Sequence, residues 1–252
     1  MTTTPGAPCW TDLLTTDADG AATFYSTLFG WTVGEASQEF GGYRMFFRDD
    51  QPIAGLMPLP EGPSYWNISL ATDDLDTTLA KAAAAGAQIV QPAVPIADMG
   101  RSATLIDPTG VVVGAWEAGT FPGFLTRGEV GAPMWFEVLS KDYAISVAFY
   151  RDVFGWDVHT MSDSDDFRYA TLGENESSLA GIMDASGFLG EDPARWQFYV
   201  QVEDTDAAIE QATELGGALI IGPDDTPYGR LATLVDPNGV IFLVSQDTNE
   251  GA

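Results

Sequence analysis

Two carboxylates stand in matching places in this 252-residue chain. Asp12 follows Trp10 by two positions in CWTDLL, and Glu137 follows Trp135 by two in MWFEVL. Alternate side chains of an extended strand share a face, so each acid lies beside an indole. A carboxylate in partly apolar surroundings is pushed toward the pKa of a working general base, and proton transfer is the chemistry these residues can do. Asp12 and Glu137 are therefore the candidate catalytic groups. The single histidine, His159, sits in WDVHT, where a strand end or the surface is its expected place. Cys9 is alone, which excludes an internal disulfide and a cysteine-based metal cluster.

The elements that must position these acids are written twice. Phe24–Trp31 reads FYSTLFGW and Phe149–Trp156 reads FYRDVFGW. AGLM at 54–57 meets AGIM at 180–183, Trp66 meets Trp196, and Tyr43-Arg44 is matched with Phe167-Arg168. GRSATLIDPTGV (Gly100–Val111) returns as GRLATLVDPNGV (Gly229–Val240). Self-similarity at a nearly fixed offset marks a duplicated structural unit. The Gly-rich AGTFPGFLTRGEVGA reads as the connection, so the expected domains are 1–118 and 133–252 with a linker at 119–132.

Within each half the pattern divides again. WTDLLT reads as a strand, and Asp17 as the cap of a helix whose apolar Ala21, Phe24, Tyr25 and Leu28 are helically spaced and which Gly30 closes. Strands follow at 31–34, 43–48 and 53–57. YWNISLAT is the next strand, then Asp73 or Asp74 opens an Ala-rich helix ended by Gly86, before strands at 88–90, 101–106 and 111–116. The second half repeats this, with a strand at 135–140, helices at 143–154 and 205–215, and a strand at 196–202. The order β-α-β-β-β thus occurs four times. FYSTLFGW is a helix end and its exit, mainly architectural.

These features resemble the vicinal oxygen chelate superfamily, which includes glyoxalase I, extradiol dioxygenases and bleomycin-resistance proteins. More narrowly, the chain resembles the superfamily's two-domain actinobacterial glyoxalase/hydroxylase-like branch, several members of which accompany antibiotic biosynthesis. The resemblance implies an α+β fold: tandem glyoxalase/bleomycin-resistance-like domains, four βαβββ modules forming cup-shaped mixed sheets. Modules can close a cup within each half or exchange across halves. The resemblance places metal ligands on the first strand, on the strand before the second helix, and seven residues after the Asp of the DP turn. Those positions hold Trp10, Asn67 and Gly114 in one half and Trp135, Gln197 and Leu243 in the other. Indole, glycine and leucine supply no ligand there, so no metal and no cofactor is expected.

What lines the cups instead is aromatic and hydrogen-bonding: Trp10, Trp135, Asn67, Gln197, Tyr199, Trp116, Tyr43 and Arg168 are the expected ligand-binding residues. Trp66 and Trp196 are expected in the core, and Arg101 and Arg230 beside acids such as Asp107 or Asp236. With 37 acidic groups against 10 basic ones the net charge is −27, which repels nucleic acid and anionic membrane and favours a neutral or cationic small aromatic molecule. No apolar run approaches the ~20 residues of a membrane span, and MTTTPGAPCW lacks an export signal, so the expectation is a cytoplasmic protein. It is expected as a monomer, its two domains an internal pseudo-dimer. The function expected is a metal-independent enzyme or accessory protein acting on a polyketide-like aromatic natural product in secondary metabolism. Two alternatives stand beside it: a protein sequestering a cationic aromatic antibiotic, and a metal-dependent glyoxalase or dioxygenase with atypical ligands such as Asp12 or Glu137 with Gln197.

Overall fold

A computed structural model of the protein describes residues 4–247. The first half runs β1 (Pro8–Thr15), α1 (Ala18–Phe29), β2 (Thr32–Val33), β3 (Arg44–Arg48), β4 (Gln51–Pro58), β5 (Tyr65–Ala71), α2 (Leu75–Ala84), β6 (Gln88–Ile96), β7 (Gly100–Ile106) and β8 (Val112–Ala118). The second half repeats the order with β9 (Pro133–Ser140), α3 (Tyr143–Phe154), β10 (Val158–Asp163), β11 (Arg168–Leu172), β12 (Ala180–Asp184), β13 (Arg195–Gln201), α4 (Thr205–Glu214), β14 (Ala218–Thr226), β15 (Gly229–Val235) and β16 (Ile241–Gln246). This is the expected α+β fold of four βαβββ modules.

Local chemistry explains the helix bounds. Asp17 accepts from the Gly20 N–H at 2.9 Å, and Gly30, at φ 70°, ends α1 in the left-handed conformation that glycine adopts without strain. Asp74, not Asp73, caps α2 through the Thr77 N–H at 2.9 Å, while Asp142 and Asp204 cap α3 and α4. Strand β6 runs to Ile96, beyond the expected 88–90. Two register shifts against β7, between Ile89 and Gln91 and between Gln91 and Val94, break its alternation around Pro92 and Pro95.

Sheet pairing stays within each half. The orders are β2-β3-β4-β1-β5-β8-β7-β6 and β10-β11-β12-β9-β13-β16-β15-β14. Inner pairs are parallel, with Asp12 opposite Gly55 on β1 and β4, and Glu137 opposite Gly181 on β9 and β12. Compactness divides the chain differently. One unit comprises residues up to Trp10, Asn67–Gly123 and Phe136–Trp196; the other comprises Thr11–Trp66, Phe124–Trp135 and the chain from Gln197 onward.

Each unit is pinned by the tyrosine of an FYxxxFGW motif. In the first unit α2 lies against α3, and the fully buried Tyr150 donates to Asp107 Oδ2 at 3.2 Å while its oxygen accepts from Trp196 Nε1 at 3.0 Å. In the second unit α1 lies against α4, and Tyr25 donates to Asp236 Oδ2 at 3.1 Å and accepts from Trp66 Nε1 at 3.2 Å. Each tyrosine therefore serves the DP turn written in the other half of the chain. Burial, then the neighbouring carboxylate, pushes both phenols well above their ordinary pKa. The motif's tryptophans are equally structural: Trp31 Nε1 donates to Gly131 O at 2.6 Å and Trp156 Nε1 to Gly6 O at 2.9 Å. Trp66 and Trp196 are buried, as expected. Arg101 and Arg230 do meet acids, but different ones. Arg101 grips Asp76 and approaches Glu117, and Arg230 grips Asp206 and Asp225, because Asp107 and Asp236 are consumed inside their own turns.

Candidate functional site

Four adjacent strands, β11-β12-β9-β13, carry Glu137 and its neighbours. Glu137, on β9, is 3% exposed, and the Tyr169 hydroxyl on β11 donates to its Oε2 at 2.7 Å. The phenol reaches across β12 because Gly181 lies there, opposite Glu137; a Cβ at that place would overlap the Tyr169 hydroxyl. Gly181→Ala is accordingly expected to push Tyr169 off the carboxylate and to cost about 1–3 kcal/mol of stability by overpacking. A melting curve beside a crystal structure of the variant checks this. Arg195 opens β13, the neighbour of β9. Its Nε is buried without a hydrogen-bond partner, and burial pushes the guanidinium pKa down against the opposing pull of Asp192 and Glu137.

The other compact unit holds the matching set. Tyr43 donates to Asp12 Oδ1 at 2.7 Å, again past a glycine, since a Cβ on Gly55 would overlap both Asp12 and Tyr43. Tyr65, which opens β5 as Arg195 opens β13, is half-buried, and burial followed by the Asp12 charge pushes its pKa up. The two sets thus share a carboxylate, a phenol and a making-room glycine. They differ in the third group, a tyrosine in one and an arginine in the other. Asp12 is half-buried where Glu137 is buried.

Strand register also corrects the matching of the halves. Arg44 lies opposite Leu56 and Ala170 opposite Ile182, so Tyr43 corresponds to Tyr169, not Phe167. Arg168 precedes Tyr169 and is held by Asp163 at 2.7 Å and Asp184 at 3.4 Å, 5.6 Å from the Tyr143 ring. Arg44 likewise pairs with Asp19 at 2.8 Å. Tyr169 belongs to the third-strand set Phe167, Arg168 and Tyr169, one member of which is expected to face inward, whereas Tyr65 and Arg195 are absent from the sequence-derived site. The signal for the last two was present: each lies two residues before Asn67 or Gln197, on the same strand face.

The remaining expected residues fall into two groups. In the first unit the Trp10 and Phe121 rings meet in a T-shaped pair with centroids 4.9 Å apart, and Trp116 donates from Nε1 to Phe121 O at 2.9 Å. Asn67 and Ser69 crowd Gly114, where a Cβ would meet the side chains of both. In the second unit Trp135 and Tyr199 are half-buried, Gln197 is buried, and Tyr199 sits opposite the buried Leu243. His159 is on β10, half-exposed, with Nε2 3.1 Å from Asp157 Oδ2.

These donors do not fit a metal. The expected ligand positions of each unit hold one indole, one amide, and a glycine or leucine, and Gly114 has no room for a longer side chain. Among the described residues no three of His, Cys, Asp and Glu gather as a ligand group.

Known proteins resemble this chain in sequence and in fold. Residues 134–244 match the family described as Glyoxalase/Bleomycin resistance protein/Dioxygenase superfamily, and residues 10–113 match a glyoxalase-like domain. CFP32 of Mycobacterium bovis is 35% identical over 247 residues, which cover 95% of this chain and 94% of that protein. The chain belongs to the glyoxalase/bleomycin resistance/dioxygenase superfamily. A further superfamily relative, the anthracycline biosynthesis protein DauV of Streptomyces sp. (strain C5), is 31% identical over 261 residues, covering 95% of this chain and 93% of its own. Among solved structures of the superfamily fold, the Mn(II)-bound glyoxalase from Novosphingobium aromaticivorans superimposes with a TM-score of 0.67 at 15% identity, covering 96% of this chain and 82% of that one. The 2,3-dioxygenase LapB from Pseudomonas sp. KL28 gives 0.67 at 14%, covering 98% and 94%. At such identities the likeness is one of fold. The described residues include no helix long and apolar enough to cross a membrane.

Proposed function

We propose that this protein moves protons on an aromatic polyketide of secondary metabolism, with Glu137 as general base and Tyr169 as its positioning partner. The carrying observation is the buried carboxylate that accepts a phenolic hydrogen bond at 2.7 Å, repeated as Asp12 and Tyr43. The substrate class draws support from DauV and from the anthracycline biosynthesis protein DnrV of Streptomyces peucetius, 29% identical over 95% of this chain. Glu137 removes a proton from a carbon beside a ring carbonyl, and the electron pair of that C–H bond moves into the carbonyl to give an enolate. Protonated Glu137 then returns the proton, to the same carbon or a conjugated one, so no oxidant or reductant is needed. Tyr169 fixes the carboxylate rotamer throughout. The donor set at the expected ligand positions supports a reaction without a metal.

Solvent exchange tests the reading. A tetracyclic polyketide ketone incubated with the protein in chelator-treated deuterium oxide should gain deuterium beside the carbonyl faster than in buffer alone. Tight binding with no gain of deuterium would make the protein a sequestering one and sink the catalytic reading.

Trp10 and Trp135 are each proposed to stack on an aromatic ligand, Trp10 in the first compact unit and Trp135 in the second. Replacing Trp135 by Leu should weaken binding by about five-fold to more than a hundred-fold, from about 1–3 kcal/mol of stacking and lost area. Trp135 should matter more than Trp10, which is 6% exposed and already packed on Phe121. Fluorescence titration beside a melting curve separates ligand contact from core packing, since a core residue would lower the melting temperature and leave affinity alone.

A further inference from the structure

Arg195 is out of keeping with the rest of this chain. Acidic side chains outnumber basic ones by 37 to 10. Arg44, Arg48, Arg101, Arg151, Arg168 and Arg230 each touch at least one carboxylate. Arg195 is half-buried, yet it forms no ion pair within 4.0 Å among the described residues, and its Nε has no hydrogen-bond partner. Leaving a guanidinium donor buried and unsatisfied is costly, and such a group is ordinarily paired. Arg195 opens β13, next to the strand that carries Glu137, whose carboxylate accepts from Tyr169. The equivalent place in the other half holds Tyr65, a neutral phenol.

We propose that Arg195 is the specificity-determining residue of the Glu137 site, and that it selects substrates carrying an ionised oxygen, a phenolate or carboxylate, on the aromatic skeleton. The inference rests on the reading of that site as one for an aromatic ligand. A planar guanidinium offers parallel N–H donors to such an oxygen. It also answers an electrostatic difficulty: a net charge of −27 repels anionic ligands, so a site that accepts one needs an uncommitted cation. The Asp12 set, with Tyr65 in that place, has none and is left to neutral ligands.

Calorimetric titration with anthraquinone-2-carboxylate and anthraquinone-2-carboxamide at pH 7.5 tests this. The two probes share shape and differ in charge. The native protein should prefer the carboxylate by roughly 10- to 100-fold. Arg195→Met should abolish the preference while holding amide affinity, and Arg195→Lys should keep part of it. A native protein that binds the amide as well as or better than the carboxylate overturns the proposal but leaves an aromatic-ligand site standing. Persistence of the preference in Arg195→Met also overturns it. Failure of both probes to bind overturns this proposal and the aromatic-ligand reading together. If Arg195→Met does not fold, the native ratio of the two affinities decides.

Discussion

Glu137→Gln is expected to fold normally and to lose proton exchange by about 10²- to 10⁴-fold, the span typical of a removed general base. Glutamine keeps the shape of the side chain and an oxygen that accepts from Tyr169, so the 2.7 Å contact survives in form. What disappears is an oxygen basic enough to hold the substrate's proton. Asp12→Asn should have the smaller effect, because Asp12 is more open to solvent and lacks a cation like Arg195 beside it. Deuterium incorporation measured on both variants, with melting curves to verify folding, gives the comparison. Exchange rates equal to the native value in both variants would remove carboxylate catalysis altogether.

The largest loss of stability is expected from Asp107→Ala. Asp107 is 3% exposed and accepts from the Thr109 N–H at 2.8 Å, the Val111 N–H at 3.0 Å and the Tyr150 hydroxyl at 3.2 Å. Without it at least two buried donors have no acceptor, at about 1–3 kcal/mol each, so about 3–5 kcal/mol is expected. For a chain of this size that is a fall in Tm on the order of 10 °C. Asp107→Asn retains an acceptor oxygen for the turn and should cost far less. It also isolates a pH effect. Burial pushes the Asp107 and Asp236 pKa values up, partly offset by the hydrogen bonds each accepts from its turn and its tyrosine. The folded chain therefore keeps these protons to a higher pH than the unfolded chain does. Their contribution is intact below about pH 4, the unfolded value, and is lost as pH rises from there through the raised folded value. The Tm difference between native protein and Asp107→Asn should drift over that interval and be flat above it. A drift of opposite sign would contradict the assignment.

Much of this could be read from residues alone, and for definite reasons. Asp17, Gly30 and the apolar spacing of α1 are local signals, so helix α1 and its bounds followed directly. Asp12 and Glu137 could be picked out because strand alternation is also local. Tyr169 was harder, because its role depends on register: only the β11–β12 pairing reveals that Tyr169, rather than Phe167 or Arg168, answers to Tyr43. Arg195 was harder still. Its interest lies in what it does not touch, and a missing ion pair has no local signature in a chain so rich in acids. The compact units, which draw on both halves, depend on tertiary contacts between turns and helices more than 200 residues apart in one case.

Those crossed contacts have a genealogical consequence. Tyr25 answers to Asp236 and Tyr150 to Asp107, so each copy of the helix motif is read by the turn of the other copy. After a duplication, two copies that fold apart can drift apart. These two are wed at the helix and the turn: any change in one copy's DP turn is judged by its fit to its sibling's tyrosine. Drift was open instead where each copy answers only to itself, at Asp12 against Glu137 and at Tyr65 against Arg195. The chain thus shares its spelling, FYSTLFGW and FYRDVFGW, at the joints of mutual dependence, and differs at the places proposed for the chemistry.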